Sequence, residues 1–258
     1  MIMTQRLIQC RMEHKYVLWS GEVVRFLARL GPVLSDSRFR RDHGWITTVY
    51  FDRPDGHLTR KVLACPSRCL KLRLREYFTA EGVPSSPFVW IEIKERDGAT
   101  SRKSRFQLHK RLVARFLRSD VGDAEILACQ GPMADPYKVL GEIRRVRDIS
   151  DDRELVPVGA VAYRRLALEG GDPVSRLTLD QEVSYHRGPF ALYESNPSLE
   201  RERLGSATHE EKAAIVELKV RGPTSPSWCD APLRTARPAE YSKFQVLSAL
   251  SVSERPVD

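Results

Sequence analysis

Polar and charged side chains, arginine and lysine foremost, recur at every second position in five short stretches of this chain, with a carboxylate among them in four. Lys71, Arg73 and Arg75 alternate with Leu70, Leu72 and Leu74. Phe88, Trp90, Glu92, Lys94 and Arg96 alternate with Val89, Ile91 and Ile93. Ile215, Glu217, Lys219 and Arg221 oppose Val216, Leu218 and Val220, while Gln9, Arg11, Glu13 and Lys15 oppose Cys10, Met12, His14 and Tyr16. Arg176, Thr178 and Asp180 oppose Leu177 and Leu179. A surface this rich in cations repels itself unless anions fill it, and the planar fork of arginine matches phosphate oxygens two at a time. Carboxylates beside phosphate are repulsive in turn unless a divalent cation bridges them, and oxygen ligands alongside phosphate are what Mg²⁺ or Mn²⁺ takes. These residue types at this spacing point to metal–phosphate chemistry.

The spacing also names the elements that hold them. Side chains of a β-strand point alternately to its two faces, so each stretch reads as a strand with one apolar and one charged list. For any single strand, a charged face is ordinary solvated surface of an antiparallel sheet. Five strands sharing the pattern suit a closed barrel instead, with the charged lists inward and the apolar lists covered by amphipathic helices. Helical periodicity predicts one such helix over residues 20–30, with Ser20 as N-cap and Val23, Val24, Phe26, Leu27 and Leu30 on its apolar face. Asp135-Pro136 predicts the start of another, through Val139, Leu140 and Ile143. Residues 120–131 form a weaker helical stretch, and the chain returns to strand near Pro157. Gly82–Pro87 and Gly188–Pro197 read as loops within one domain spanning residues 1–258.

Composition narrows the class. With 258 residues, 41% of them hydrophobic, the chain is long enough for one sizeable core and too apolar for a disordered or collagen-like chain. No run is long enough to span a bilayer, and the first sixteen residues lack the apolar core of a secretory signal, so a cytoplasmic location is expected. The net charge of +8 favours an anionic partner: nucleic acid, a membrane surface or a polyanionic small molecule. Cys10, Cys65, Cys69, Cys129 and Cys229 are an odd, irregular set that reads as free thiols, and Cys65 with Cys69 lacks a second ligand pair for zinc. The six histidines form no cluster. Arg144-Arg145-Val146-Arg147 reads as a solvated helix end favoured by the helix dipole rather than as a nucleic-acid contact.

A set of motifs in one order carries a family resemblance. Arg11-Met12-Glu13-His14-Lys15-Tyr16, Val49-Tyr50-Phe51-Asp52, Lys71-Leu72-Arg73-Leu74-Arg75-Glu76-Tyr77, Ile91-Glu92-Ile93-Lys94 with Lys103 following, Tyr163-Arg164-Arg165, Arg176-Leu177-Thr178-Leu179-Asp180, Val216-Glu217-Leu218-Lys219 and Ser242-Lys243-Phe244 together resemble the VTC domain. That domain is the polyphosphate polymerase branch of the triphosphate tunnel metalloenzymes, the CYTH-like superfamily. The resemblance implies an α+β fold in which a closed antiparallel eight-stranded β-barrel has helices packed outside. It implies an ATP-dependent phosphotransferase that adds the γ-phosphate of ATP to a growing polyphosphate chain, with Mn²⁺ or Mg²⁺ as cofactor. ATP and polyphosphate would be its partners, with no specific nucleic acid.

Carried over motif by motif, Lys15, Arg73, Arg75, Lys94, Lys103, Arg164, Arg176, Lys219, Ser242 and Lys243 would hold phosphates. Glu217 would be the main metal ligand, with Glu13 and Glu92 beside it, and Arg73, Arg75, Lys94, Glu217 and Lys243 would form the catalytic set. The hydrolytic relatives open with Glu-x-Glu-x-Lys, whereas Arg11 stands at the first glutamate here, which favours the polymerase branch. The resemblance covers the VTC domain alone, so it implies neither the inositol-phosphate control nor the coupled membrane transport of the fungal complexes. Two other readings stay open: a triphosphatase of the same fold acting on inorganic triphosphate or nucleotides, and a non-catalytic polyanion-binding module.

Overall fold

The computed structural model describes residues 11–98, 100–151, 153–170, 175–221 and 226–252, with the side chains of Arg11, Arg221 and Val252 excepted. Cys10 lies outside them. In chain order the first half runs β1 (Arg11–Leu18), α1 (Ser20–Leu34), β2 (Phe39–Asp52), α2 (His57–Ala64), β3 (Arg68–Tyr77), β4 (Phe88–Asp97) and β5 (Thr100–His109). Three helices follow, α3 (Val113–Leu117), α4 (Asp123–Leu127) and α5 (Pro136–Ser150). The chain then continues as β6 (Val156–Gly170), β7 (Arg176–His186), β8 (His209–Glu210), β9 (Ala214–Arg221), α6 (Asp230–Leu233), β10 (Arg237–Pro238) and α7 (Lys243–Val252).

The fold is α+β. Hydrogen-bonded strand neighbours follow the order β10-β1-β9-β7-β6-β2-β3-β4-β5, with β8 on β7. The expected eight-stranded closed barrel is corrected in two respects. Among the described residues there are ten strands, two of which, β8 and β10, are only two residues long. The ladder also ends at β10 and at β5 among the described residues, so hydrogen bonds do not close it. Alternation reports which face a side chain takes and is silent on which strands end the ladder.

The chain forms two compact units. The first contains residues 1–43, 165–182 and 211–241. In it β1 runs antiparallel to β9, and β9 to β7, so that Glu13 stands opposite Lys219 and Lys15 opposite Glu217. The apolar list of these strands, Leu177, Leu179, Val216 and Leu218, is fully buried against Val23, Phe26 and Leu30 of α1. That helix starts one residue earlier in role than expected: Ser20 is its first helical residue and Trp19 its extended N-cap. The Glu22 carboxylate reaches back to accept the Trp19 backbone N–H at 2.8 Å, so a hydroxyl at Ser20 is not needed for capping. Val24, expected on the apolar face, is 70% exposed.

The second unit contains residues 44–164, 183–210 and 242–258. One core joins Leu72, Leu74, Val89, Ile91 and Ile93 of β3 and β4 to Ile126 of α4 and to Val139, Ile143 and Val146 of α5. Burying each such side chain contributes about 1.5–3 kcal/mol, which holds the strands rigid beneath whatever their other face carries. α5 begins as expected, with Asp135 accepting the backbone N–H groups of Tyr137 and Lys138 and Pro136 in the first helical turn. Arg145 and Arg147 pair with Glu95, Glu142 and Asp123, so ion pairs within the unit rather than solvent alone engage this helix end. A second core joins Tyr50, Tyr163 and Tyr185 to Val62 of α2 and to Phe244 and Leu247 of α7. Tyr50 stands directly opposite Arg73, so within this unit a helix packs on the charged side of the strands as well as on the apolar side. The expectation that all helices lie outside is corrected accordingly.

Candidate active site

In the second unit, pairing register rather than sequence proximity assembles the charges. Arg73 of β3 faces Glu92 of β4, which faces Arg105 of β5, and in the next row Lys71, Lys94 and Lys103 stand opposite one another. The Glu92 carboxylate is fully buried. Its Oε2 accepts from Arg73 Nε at 2.8 Å and lies 2.7 Å from Arg73 Nη2 and 3.7 Å from Arg75 Nη1. Its Oε1 lies 2.6 Å from Lys103 Nζ and 3.9 Å from Arg105 Nη1. Burial pushes this carboxyl up, and the charges of Arg75, Arg73 and Lys103 outweigh burial and hold it below the usual carboxylate range.

The cations are oriented from behind. Arg75 Nε donates to Thr48 Oγ1 at 3.1 Å, and Arg73 Nη1 approaches the Tyr50 hydroxyl at 3.4 Å. Lys71 Nζ donates to Ser242 Oγ at 2.8 Å. Ser242 also accepts the Gln245 backbone N–H at 3.3 Å, so it caps α7 while it places Lys71. Lys243 Nζ sits 4.5 Å from the centre of the Tyr163 ring. Phe244 stacks on Tyr50 with centroids 4.8 Å apart.

In the first unit the charges alternate across strands. Lys15 Nζ lies 3.1 Å from Glu13 Oε1 and donates to the Tyr241 carbonyl at 2.7 Å. Lys219 Nζ lies 2.8 Å from Glu217 Oε1 and 3.9 Å from Glu13 Oε2. Burial raises the Glu217 carboxyl, and Lys219, Arg165 and Lys15 together hold it below its ordinary range. Arg165 grips Asp180 with two bonds of 2.6 and 2.7 Å, and Arg176 pairs with Glu169 at 2.9 Å.

The expected site residues therefore divide between the units. Glu13, Lys15, Arg176, Glu217 and Lys219 belong to the first. Arg73, Arg75, Glu92, Lys94, Lys103, Arg164, Ser242 and Lys243 belong to the second. Arg164 is exposed, whereas its neighbour Arg165 is the one whose charge reaches Glu217. Arg165 and Arg105 were missed by the sequence reading. The signal for Arg105 was present, since Lys103, Arg105 and Gln107 alternate with Phe106 and Leu108, but the apolar list is only two residues long.

The donor sets differ in what they can hold. Among the described residues no group of three or more His, Cys, Asp and Glu side chains is arranged to bind a metal ion. Glu13 and Glu217 are partly exposed carboxylates that share one lysine, and two carboxylates plus substrate phosphates are the usual protein share of a Mg²⁺ site. As oxygen donors open to solvent, these two are of the type a divalent cation takes. Glu92 is not, because four cations surround it and no water reaches it.

Lys103 supplies a measurable pH dependence. Burial pushes its ammonium down to about 7, against the attraction of Glu92 and with the repulsion of Arg73 and Arg75. An anion recruits the charged form, so above pH 7 binding must first restore a proton and affinity falls. Tripolyphosphate affinity is expected to drop by up to about tenfold per pH unit from pH 7 toward 9, relative to a Lys103→Arg variant that keeps its charge. Titration calorimetry of both proteins checks this, and parallel profiles would remove Lys103 from the binding site.

The VTC domain family model matches residues 10–251, the whole span over which these charged strands occur. The chain belongs to the VTC domain family. No curated protein matches it in sequence. Among solved structures, a Hippeastrum protein provisionally assigned as an adenylyl cyclase, with a dominant triphosphatase activity, is similar over 93% of this chain and 95% of its own, at 17% identity and a TM-score of 0.50. A provisionally assigned adenylate cyclase from Bacillus halodurans covers 97% and 94%, at 15% identity and a TM-score of 0.45. The Mimivirus capping enzyme triphosphatase covers 80% of each chain at 10% identity and a TM-score of 0.33. At 17% identity the likeness to the Hippeastrum protein is one of fold. Among the described residues, no helix of this VTC domain is long and apolar enough to cross a membrane.

Proposed function

We propose that this VTC domain is a metal-dependent polyphosphate polymerase that transfers the γ-phosphate of ATP to a growing polyphosphate chain. The observation that carries this reading is the charged face of β3, β4 and β5. Lys71, Arg73, Arg75, Lys94, Lys103 and Arg105 share it with Glu92, and like charges placed opposite one another destabilise a sheet unless something neutralises them. A run of phosphates does so. One domain over residues 1–258, acting in the cytoplasm on ATP and polyphosphate, is the form this reading takes.

Phosphoryl transfer asks a protein for positioning and charge neutralisation more than for a covalent nucleophile. Arg73 and Arg75 would grip phosphate oxygens in pairs, with Glu92 and Thr48 fixing their guanidinium planes in advance. Lys94, Lys103, Arg164, Ser242 and Lys243, and in the first unit Lys15, Arg176 and Lys219, would hold further phosphates. The attacking group is a terminal phosphate oxygen that is already anionic, so no side-chain base is required. Glu217 and Glu13 would hold the divalent cation, Mn²⁺ or Mg²⁺. Bound there, such a cation would supply positive charge that offsets the negative charge developing on the phosphates. Glu92 is assigned to positioning rather than to the metal.

Hydrolysis is the second reading, favoured by the triphosphatase activity of the Hippeastrum neighbour. Arg11, where the hydrolytic relatives carry a glutamate, weighs toward the polymerase. Incubating the purified protein with ATP and Mn²⁺ and resolving the products on a gel decides between them. A phosphate ladder is expected. Orthophosphate alone would assign a hydrolase, and neither product would leave a polyanion-binding module.

A further inference from the structure

A cavity of about 570 Å³ opens over the edge strand β5 in the second unit, and the proposed transfer uses only its Lys103 and Arg105 end. Its floor is Trp90 with the Arg105 guanidinium stacked 4.1 Å from the ring centre. Gln107 stands directly opposite Trp90 in the strand register and lines the same space. The far wall comes from the connection between α4 and α5, where Met133 is 97% exposed, and from Val139. Gln130 fixes that wall: its side-chain amide bonds both the N–H and the C=O of Gln107, at 3.0 and 2.7 Å, as a neighbouring strand would. Lys103 and Arg105 line the cavity and also contact Glu92, so one end of it is continuous with the phosphate-binding residues.

The volume falls within the range of small-ligand sites. A pure polyphosphate would engage the cations and leave Trp90, Gln107 and the exposed Met133 without a ligand contact. A ligand with a flat aromatic end and an anionic end uses all of them. Nucleobases stack on indole rings and on guanidinium planes, and a glutamine amide offers the donor and acceptor that match N6 and N7 of adenine. We propose that this cavity holds the base of the nucleotide, stacked on the Trp90–Arg105 platform with Gln107 reading the 6-amino edge of adenine. The proposal rests on the phosphate-binding reading above and adds to it the choice of nucleotide.

Binding of ATP, inosine triphosphate and tripolyphosphate, measured by calorimetry on wild type, Gln107→Leu, Trp90→Leu and Arg73→Ala, tests it. ATP is expected to bind about tenfold tighter than inosine triphosphate, which lacks the 6-amino group, and Gln107→Leu should bring the ratio near one without changing tripolyphosphate affinity. Trp90→Leu should weaken both nucleotides by about tenfold more than it weakens tripolyphosphate, which feels only the loss of the ring under Arg105. Equal binding of the two nucleotides to wild type, or a ratio untouched by Gln107→Leu, overturns the base site while tripolyphosphate still responds to Arg73→Ala. Tripolyphosphate binding that ignores Arg73→Ala overturns the phosphate reading and the base site with it.

Discussion

A Glu92→Gln variant is expected to lose on the order of 3–5 kcal/mol of folding stability, the usual consequence of removing one partner from a buried ion cluster. The carboxylate is inaccessible to water and has Arg73, Arg75, Lys103 and Arg105 within 3.9 Å. Glutamine keeps the volume and leaves those cations facing one another. In a chain of this size the loss corresponds to a melting temperature lower by roughly 10 °C. Saturating tripolyphosphate should then stabilise the variant more than it stabilises wild type, because the added anion supplies the missing charge and binds the native state selectively. Differential scanning fluorimetry with and without tripolyphosphate reads both effects. A variant that melts within about 1 kcal/mol of wild type, or gains no extra stabilisation from the anion, would show that the cations do not depend on Glu92.

Acid should act on the same group. Its folded pKa lies below its unfolded value, so its contribution is fully present above the ordinary glutamate range and is lost as pH falls through the folded pKa. Glu92→Gln should therefore flatten the acid limb of the stability profile.

The faces of the strands were legible in the sequence because the side-chain period of a strand is two and needs no partner to be read. Leu72, Leu74, Ile91 and Ile93 are buried as alternation requires, and Arg73, Lys94 and Glu217 lie on the opposite lists. Register was not legible. That Arg73 meets Glu92 and not Lys94 depends on how β3 and β4 align, and nothing local to either strand states it. The roles of Ser242 and Glu22 were hidden for a similar reason. That Ser242 also caps α7 shows only once α7 is seen to begin beside it, and Ser20 looks like a cap until the Glu22 carboxylate takes the Trp19 N–H. The ends of the ladder, β10 and β5, depend on pairings between distant segments, so the open ladder could not be read from alternation.

Glu217→Gln is expected to abolish turnover while leaving the fold intact and metal-free tripolyphosphate binding unchanged or tighter. The substitution keeps the size of the side chain and removes the anionic oxygen that would hold the divalent cation, along with its repulsion of phosphate. Lys15, Lys219 and Arg165, which now hold the Glu217 carboxyl in its charged form, would be freed toward an anionic ligand. Glu13 keeps its contact with Lys15 at 3.1 Å and stands opposite Lys219 in the register, so the strand pairing has a remaining carboxylate to support it. A purely structural role for Glu217 predicts the reverse: a lower melting temperature and a normal dependence of residual turnover on Mn²⁺. Turnover measured against Mn²⁺ concentration, beside tripolyphosphate affinity without metal, separates the two. Wild-type turnover and metal response in a folded Glu217→Gln protein would remove this residue from the active site and leave the first unit without a metal-binding role.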